Sequence, residues 1–70
     1  MAWLTASPTG IEKMFRHEKP KRISEFFYHR YWYNSLLGAD GYTLESGTIK
    51  RLIGRELTWD DEPVEFNEVS

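Results

Sequence analysis

The chain has 70 residues, 40% of them hydrophobic and 29% charged, with a formal net charge of −2 and no cysteine. That length supports one hydrophobic core, which excludes a multidomain enzyme, and the absence of cysteine removes disulfide frameworks, thiolate metal sites and cysteine nucleophiles. Charge is divided unevenly: residues 1–37 carry six basic and three acidic side chains, a net of +3, whereas residues 38–70 carry three basic and eight acidic ones, a net of −5.

The opening Met1-Ala2-Trp3-Leu4-Thr5-Ala6 has no basic n-region, and no stretch approaches the roughly 20 apolar residues of a membrane span, so the expectation is a cytoplasmic, membrane-free protein. Ser7 and Thr9 flank Pro8, and Ile11, Met14 and Phe15 follow at i, i+3 and i+4, which predicts a short helix over about 8–17. Pro20 interrupts it. A second helix is expected over about 21–37, because Ile23, Phe26, Phe27, Tyr31, Asn34 and Leu37 share one face, with Asn34 the polar interruption and Gly38 in the position of a C-terminal stop.

Gly38-Ala39-Asp40-Gly41 reads as a turn. Beyond it, Tyr42–Glu45 and Thr48–Arg51 flank Ser46-Gly47 as a hairpin, and Leu57/Trp59 and Val64/Phe66 alternate around Asp60-Asp61-Glu62-Pro63 as a second one. The fold class expected is therefore α+β: one or two N-terminal helices packed on a small antiparallel meander or pair of hairpins over about 42–67, in a single domain spanning 1–70 with a frayed tail at 68–70. A second reading of the middle stretch makes 48–53 a short helix, with Thr48 as N-cap, Ile49, Leu52 and Ile53 on one face and Gly54 as the stop.

Catalytic patterns are missing. His17-Glu18 opens like a zinc-protease helix motif, but Pro20 and Lys21 follow where the motif needs otherwise, and Glu25 and His29 read as a surface pair. Ser46 sits in Glu45-Ser46-Gly47, which is no nucleophile elbow, and no glycine-rich phosphate loop occurs. The expectation is a non-enzymatic, cofactor-free protein.

Aromatic crowding is the informative feature. On the expected helix Tyr28, Trp32 and Ser35 form a stripe beside the buried face, so Tyr28, Trp32 and Tyr33, with Arg30 on the rim, are the candidate contacts for another protein. A 70-residue core carrying this many large aromatics is marginal, which favours a partner or a homodimer. The first functional reading is thus a protein-binding module or small accessory or inhibitor protein.

The alternative is nucleic acid. Lys19, Lys21 and Arg22 form a basic junction able to release counterions from phosphate. The ten residues Thr48-Ile49-Lys50-Arg51-Leu52-Ile53-Gly54-Arg55-Glu56-Leu57 resemble the recognition helix and following turn of phage excisionases and related winged-helix regulators. That resemblance implies a small winged-helix-like fold with Thr48, Lys50, Arg51 and Arg55 facing DNA, although the wing would carry Asp60-Asp61-Glu62 where the family has basic residues.

Overall fold

A computed structural model describes residues 1–25 and 29–67. The elements in chain order are β1 (Ala2–Ala6), β2 (Glu12–Arg16), β3 (Lys21–Glu25), β4 (His29–Tyr33), β5 (Tyr42–Thr43), α1 (Thr48–Ile53) and β6 (Val64–Phe66). They form a four-stranded antiparallel sheet in the order β5-β2-β1-β6 and a separate two-stranded ribbon, β3-β4.

The expected N-terminal helices are replaced by hairpins. Ser7-Pro8-Thr9-Gly10 is a tight turn and not a helix cap, with Gly10 N–H donating to Ser7 O at 3.0 Å and Ser7 N–H to Ile11 O at 2.9 Å. Proline favours the second position of such a turn, and Gly10 closes it at φ 88, a conformation other residues resist. The Ser7 hydroxyl accepts from the N–H of Ile11 at 3.0 Å, so the residue read as a helix start instead fastens a strand connection. Met14 and Phe15 then point to opposite faces of β2, and Ile11 is exposed.

The second expected helix, 21–37, is likewise absent among the described residues. β3 and β4 pair antiparallel, Lys21 with Tyr33 through Glu25 with His29. The i, i+3, i+4 spacing of the aromatics coincided with a helical face, but Tyr, Trp and Ile at 23 and 31–33 prefer the pleated surface they occupy. Phe26, Phe27 and Tyr28 lie outside the described residues. Asn34, the apparent interruption of the helical face, is buried and ends β4: its Oδ1 accepts from the N–H groups of Leu36 and Leu37, and its Nδ2 donates to the carbonyls of Arg16 and Glu18. One side chain thereby ties the end of β4 to the end of β2.

The C-terminal half also departs from two hairpins. Tyr42–Thr43 pairs with β2 at Lys13 and Met14, leaving no strand opposite it at 48–51. The segment 48–53 is a helix, stopped by Gly54 at φ 83, which donates to Lys50 O. Thr48 is its first helical residue, and Gly47, at φ 91, is the N-cap. Leu57 and Trp59 belong to no strand, while Val64–Phe66 joins β1. A winged-helix arrangement is excluded, since α1 is the only helix among the described residues. No helix among them is long and apolar enough to cross a membrane.

β1 is central because nearly every position in it is buried. Its alternation presents Ala2, Leu4 and Ala6 to one side, where Ile49 and Leu57 complete a core packed by Met14, Leu44, Ile53, Val64 and Phe66. Trp3 and Thr5 face the other side together with Phe15. The loop 34–41 covers that side: Lys13 donates to Ala39 O at 3.3 Å, and a Cβ on Gly41 would stand 3.0 Å from the Phe15 ring. A side chain at 41 would need both room and a positive φ of 54.

Glu12 anchors α1 to the sheet. Its carboxylate accepts from Gly47 N–H at 2.7 Å and from Ile49 N–H at 2.8 Å, supplying the cap that Gly47 has no side chain to provide. Replacing Glu12 with Ala is expected to cost about 1–2 kcal/mol, with Gln intermediate, read as a lower urea midpoint and loss of amide protection confined first to 47–53.

Candidate functional site

The ribbon has an inner and an outer face, and the strand alternation assigns its residues between them. Arg22, Ser24, Arg30 and Trp32 share one side, and Lys21, Ile23, Glu25, Tyr31 and Tyr33 share the other. The inner side is fixed by Trp32, which is 4% exposed and donates from Nε1 to Ala6 O at 2.9 Å. That bond joins the ribbon to β1 of the larger sheet.

Arg22, directly across the ribbon from Trp32, is held as firmly. Its guanidinium lies 4.8 Å from the centre of the Trp32 ring and 5.3 Å from that of Trp59, whose rings are themselves 5.3 Å apart at 59°. Nη2 donates to the carbonyls of Trp59 at 2.9 Å and Asp61 at 3.1 Å, Nε donates to Trp59 O, and Nη1 meets the Glu62 carboxylate at 3.2 Å. A planar guanidinium has the donors to satisfy such a convergence of carbonyls while stacking on indole. The turn carrying these carbonyls is closed by Asp61, whose carboxylate accepts from Thr58 N–H at 2.8 Å and from the Thr58 hydroxyl at 3.2 Å. The Thr58 backbone bond, more than Arg55 or Arg22, holds the Asp61 carboxyl below the usual aspartate value.

The outer side is different in kind. Tyr31 and Tyr33 are 37% and 44% exposed, Ile23 is half-buried beside them, and Lys21 stands across from Tyr33. A shallow groove of about 460 Å³ runs between the start of β3 and the 62–63 turn, lined by Lys19, Pro20, Glu62 and Pro63, by Arg22 and Trp32 from the inner side of the ribbon, and by Lys21 from the outer side. Lys21 belongs to both surfaces. Among the described residues no group of three His, Asp or Glu side chains is placed to hold a metal ion.

The residues singled out in the sequence are thus redistributed. Of the partner-binding set, Tyr33 and Arg30 are exposed, Trp32 is interior, and Tyr28 lies outside the described residues. Tyr31 and Ile23, assigned to the buried face of a helix, are on the outer face of the ribbon; strict alternation through Tyr31-Trp32-Tyr33 carried that signal. Of the nucleic-acid set, Lys19 and Lys21 line the groove and Arg22 is locked in its clamp. Thr48, Lys50 and Arg51 sit on α1, where Arg51 donates to the Thr48 hydroxyl at 3.1 Å, and Arg55 lies 3.9 Å from the Asp61 carboxylate. These cations form no single patch, because the Lys19 ammonium stands 5.7 Å over the Trp3 ring on one side of β1 and α1 packs against the other. Comparisons with protein-family models, with curated proteins and with solved structures gave no match.

Two outcomes follow from this geometry. Trp32→Phe, which leaves the Ala6 carbonyl unmet, is expected to cost about 2 kcal/mol, whereas Tyr33→Ser should stay within about 0.5 kcal/mol; chemical denaturation of the two variants measures the contrast. Asp61, with its folded value depressed, stabilises the protein above the ordinary aspartate value and loses that contribution as pH falls through the depressed value. The melting-temperature advantage of the native chain over Asp61→Asn should therefore shrink as the pH falls below the ordinary aspartate value.

Proposed function

We propose that this chain is a non-enzymatic protein-binding module whose contact surface is the outer face of the β3–β4 ribbon together with the adjoining basic groove. The observation that carries it is the exposure of Tyr31 and Tyr33 two residues apart on β4, with Ile23 across the ribbon from Tyr31, on a face whose reverse is fixed by Trp32 and Arg22. Tyrosine supplies large contact area at low rotamer cost, and a face that is already rigid loses little entropy on binding.

Charge narrows the partner. Lys19 and Lys21 border the face and the groove, and the N-terminal half has a net charge of +3, so the reading is an acidic, extended protein segment that lays apolar side chains across the tyrosines. Among the described residues Glu62 is the one carboxylate lining the groove, and it pairs with Arg22.

Nucleic acid is the second reading, and one observation favours it: 48–53 is helical, as that reading requires, and presents exposed Lys50 and Arg51. Its weakness is the short helix and the separation of Lys19 and Lys21 from it.

Affinity capture from the native host lysate, at two salt concentrations and with nuclease treatment in parallel, separates the two. The proposal expects defined polypeptides retained by the native chain, resistant to nuclease, and lost from a Tyr31→Ser/Tyr33→Ser variant of matched melting temperature. Identical capture by both proteins, or nuclease-sensitive capture falling steeply with salt, would overturn it.

A further inference from the structure

β3 is paired on one side only. β4 occupies its inner edge, and among the described residues no strand pairs with the other. Lys21, Ser24 and Glu25 are exposed and Ile23 is half-buried, while the Arg22 side chain is turned into its clamp with the 59–62 turn. An open edge presents backbone donors and acceptors ready to pair with another strand, and a two-stranded ribbon is the least stable form of sheet.

The sequence of this edge is complementary to itself. Lys21-Arg22-Ile23-Ser24-Glu25 has a cation two residues before its midpoint and an anion two residues after it. An antiparallel pairing of two copies centred on Ile23 sets Lys21 opposite Glu25 of the second copy, and Glu25 opposite its Lys21. Arg22 then faces Ser24, and the two Ile23 side chains meet on the axis. Shifting the register by two places either Arg22 against Arg22 or Ser24 against Ser24, and larger shifts oppose Lys21 to Lys21 or Glu25 to Glu25. A parallel pairing aligns like charges along the edge. Opposite charges directly across a strand pair are favourable and like charges unfavourable, so one register is selected.

We infer that this chain self-associates through β3, two copies forming one four-stranded sheet in the order β4-β3-β3-β4 about a twofold axis at Ile23. An isologous contact of this kind needs no second patch on the molecule. Ile23 lies on the outer face with Tyr31 as its cross-strand neighbour, so the pairing brings Ile23 and Tyr31 of both copies into one apolar strip across the axis. No ion pair among the described residues uses Lys21 or Glu25, which leaves both for the second copy. The seam shares Lys21, Ile23 and Tyr31 with the face read as a protein-binding surface, but the two fail separately: a monomer that still captured its partner would end the dimer and leave the binding reading intact.

Sedimentation equilibrium of the full chain from micromolar to millimolar concentration tests it. The native mass is expected to rise toward that of a dimer. Lys21→Glu and Glu25→Lys should each weaken association about tenfold or more at low salt, because each turns two attractive contacts into two repulsive ones. The doubly exchanged Lys21→Glu/Glu25→Lys chain should recover the native constant, and so should an equimolar mixture of the two single variants. Matching melting temperatures at low concentration verify that the variants fold. A native chain monomeric throughout overturns the inference. So does a dimer indifferent to the single reversals, or one that the exchange does not restore.

Discussion

The bond from the Trp32 indole to the Ala6 carbonyl joins the ribbon to the central strand of the larger sheet. A two-stranded ribbon does not hold itself in water, and β1 would otherwise leave a carbonyl to be satisfied elsewhere. Around that bond the Arg22 guanidinium stacks on Trp32 and Trp59 and gathers the carbonyls of Trp59 and Asp61, so the connection into β6 is fastened to the same point. Three stretches of chain distant in sequence meet there. The outer face of the ribbon inherits its orientation from this clamp, since Tyr31 and Tyr33 alternate with Trp32.

The same strategy recurs wherever the chain lacks a conventional staple. With no cysteine to cross-link it, the domain uses single side chains that each satisfy several backbone groups. Glu12 caps α1 from a neighbouring strand, Asn34 ends one strand while holding the end of another, and Asp61 closes the turn that Arg22 grips. A hydrogen bond in such a place contributes modestly, but an unmet buried partner costs more, so these residues specify the geometry more than they add to its strength.

Legibility in the sequence followed the same division. Where a segment's own chemistry decides, part of the pattern is legible: of the two readings open for 48–53, the helix stopped by Gly54 is the one observed and the hairpin strand is not, and Leu57, Val64 and Phe66 pack into the core although Leu57 lies in no strand. Where partners decide, it was not. Ile23, Phe27 and Tyr31 satisfy a helical spacing, yet Ile, Tyr and Trp are also good strand residues, and nothing local tells that 21–25 will find 29–33. Asn34 reads as a flaw in a helix because its role depends on Arg16 and Glu18, 18 and 16 residues away in sequence. Ser7-Pro8-Thr9-Gly10 did carry a local signal, since Pro second and Gly fourth describe a turn at least as well as a cap. The error at the site follows from the helix: a period of 3.6 makes Trp32 an exposed neighbour of Tyr28, whereas a period of 2 buries Trp32 and exposes Tyr31 and Tyr33.

The functional reading rests on the clamp, because a tyrosine face on a mobile ribbon would not be preorganised for any partner. Hydrogen exchange of the indole N–H groups measures it directly by nuclear magnetic resonance. The account expects the Trp32 Nε1 proton to exchange as slowly as the amides of β1, opening only with the whole domain. A Trp32 indole proton exchanging at the rate of an exposed tryptophan, while the β1 amides stay protected, would contradict it.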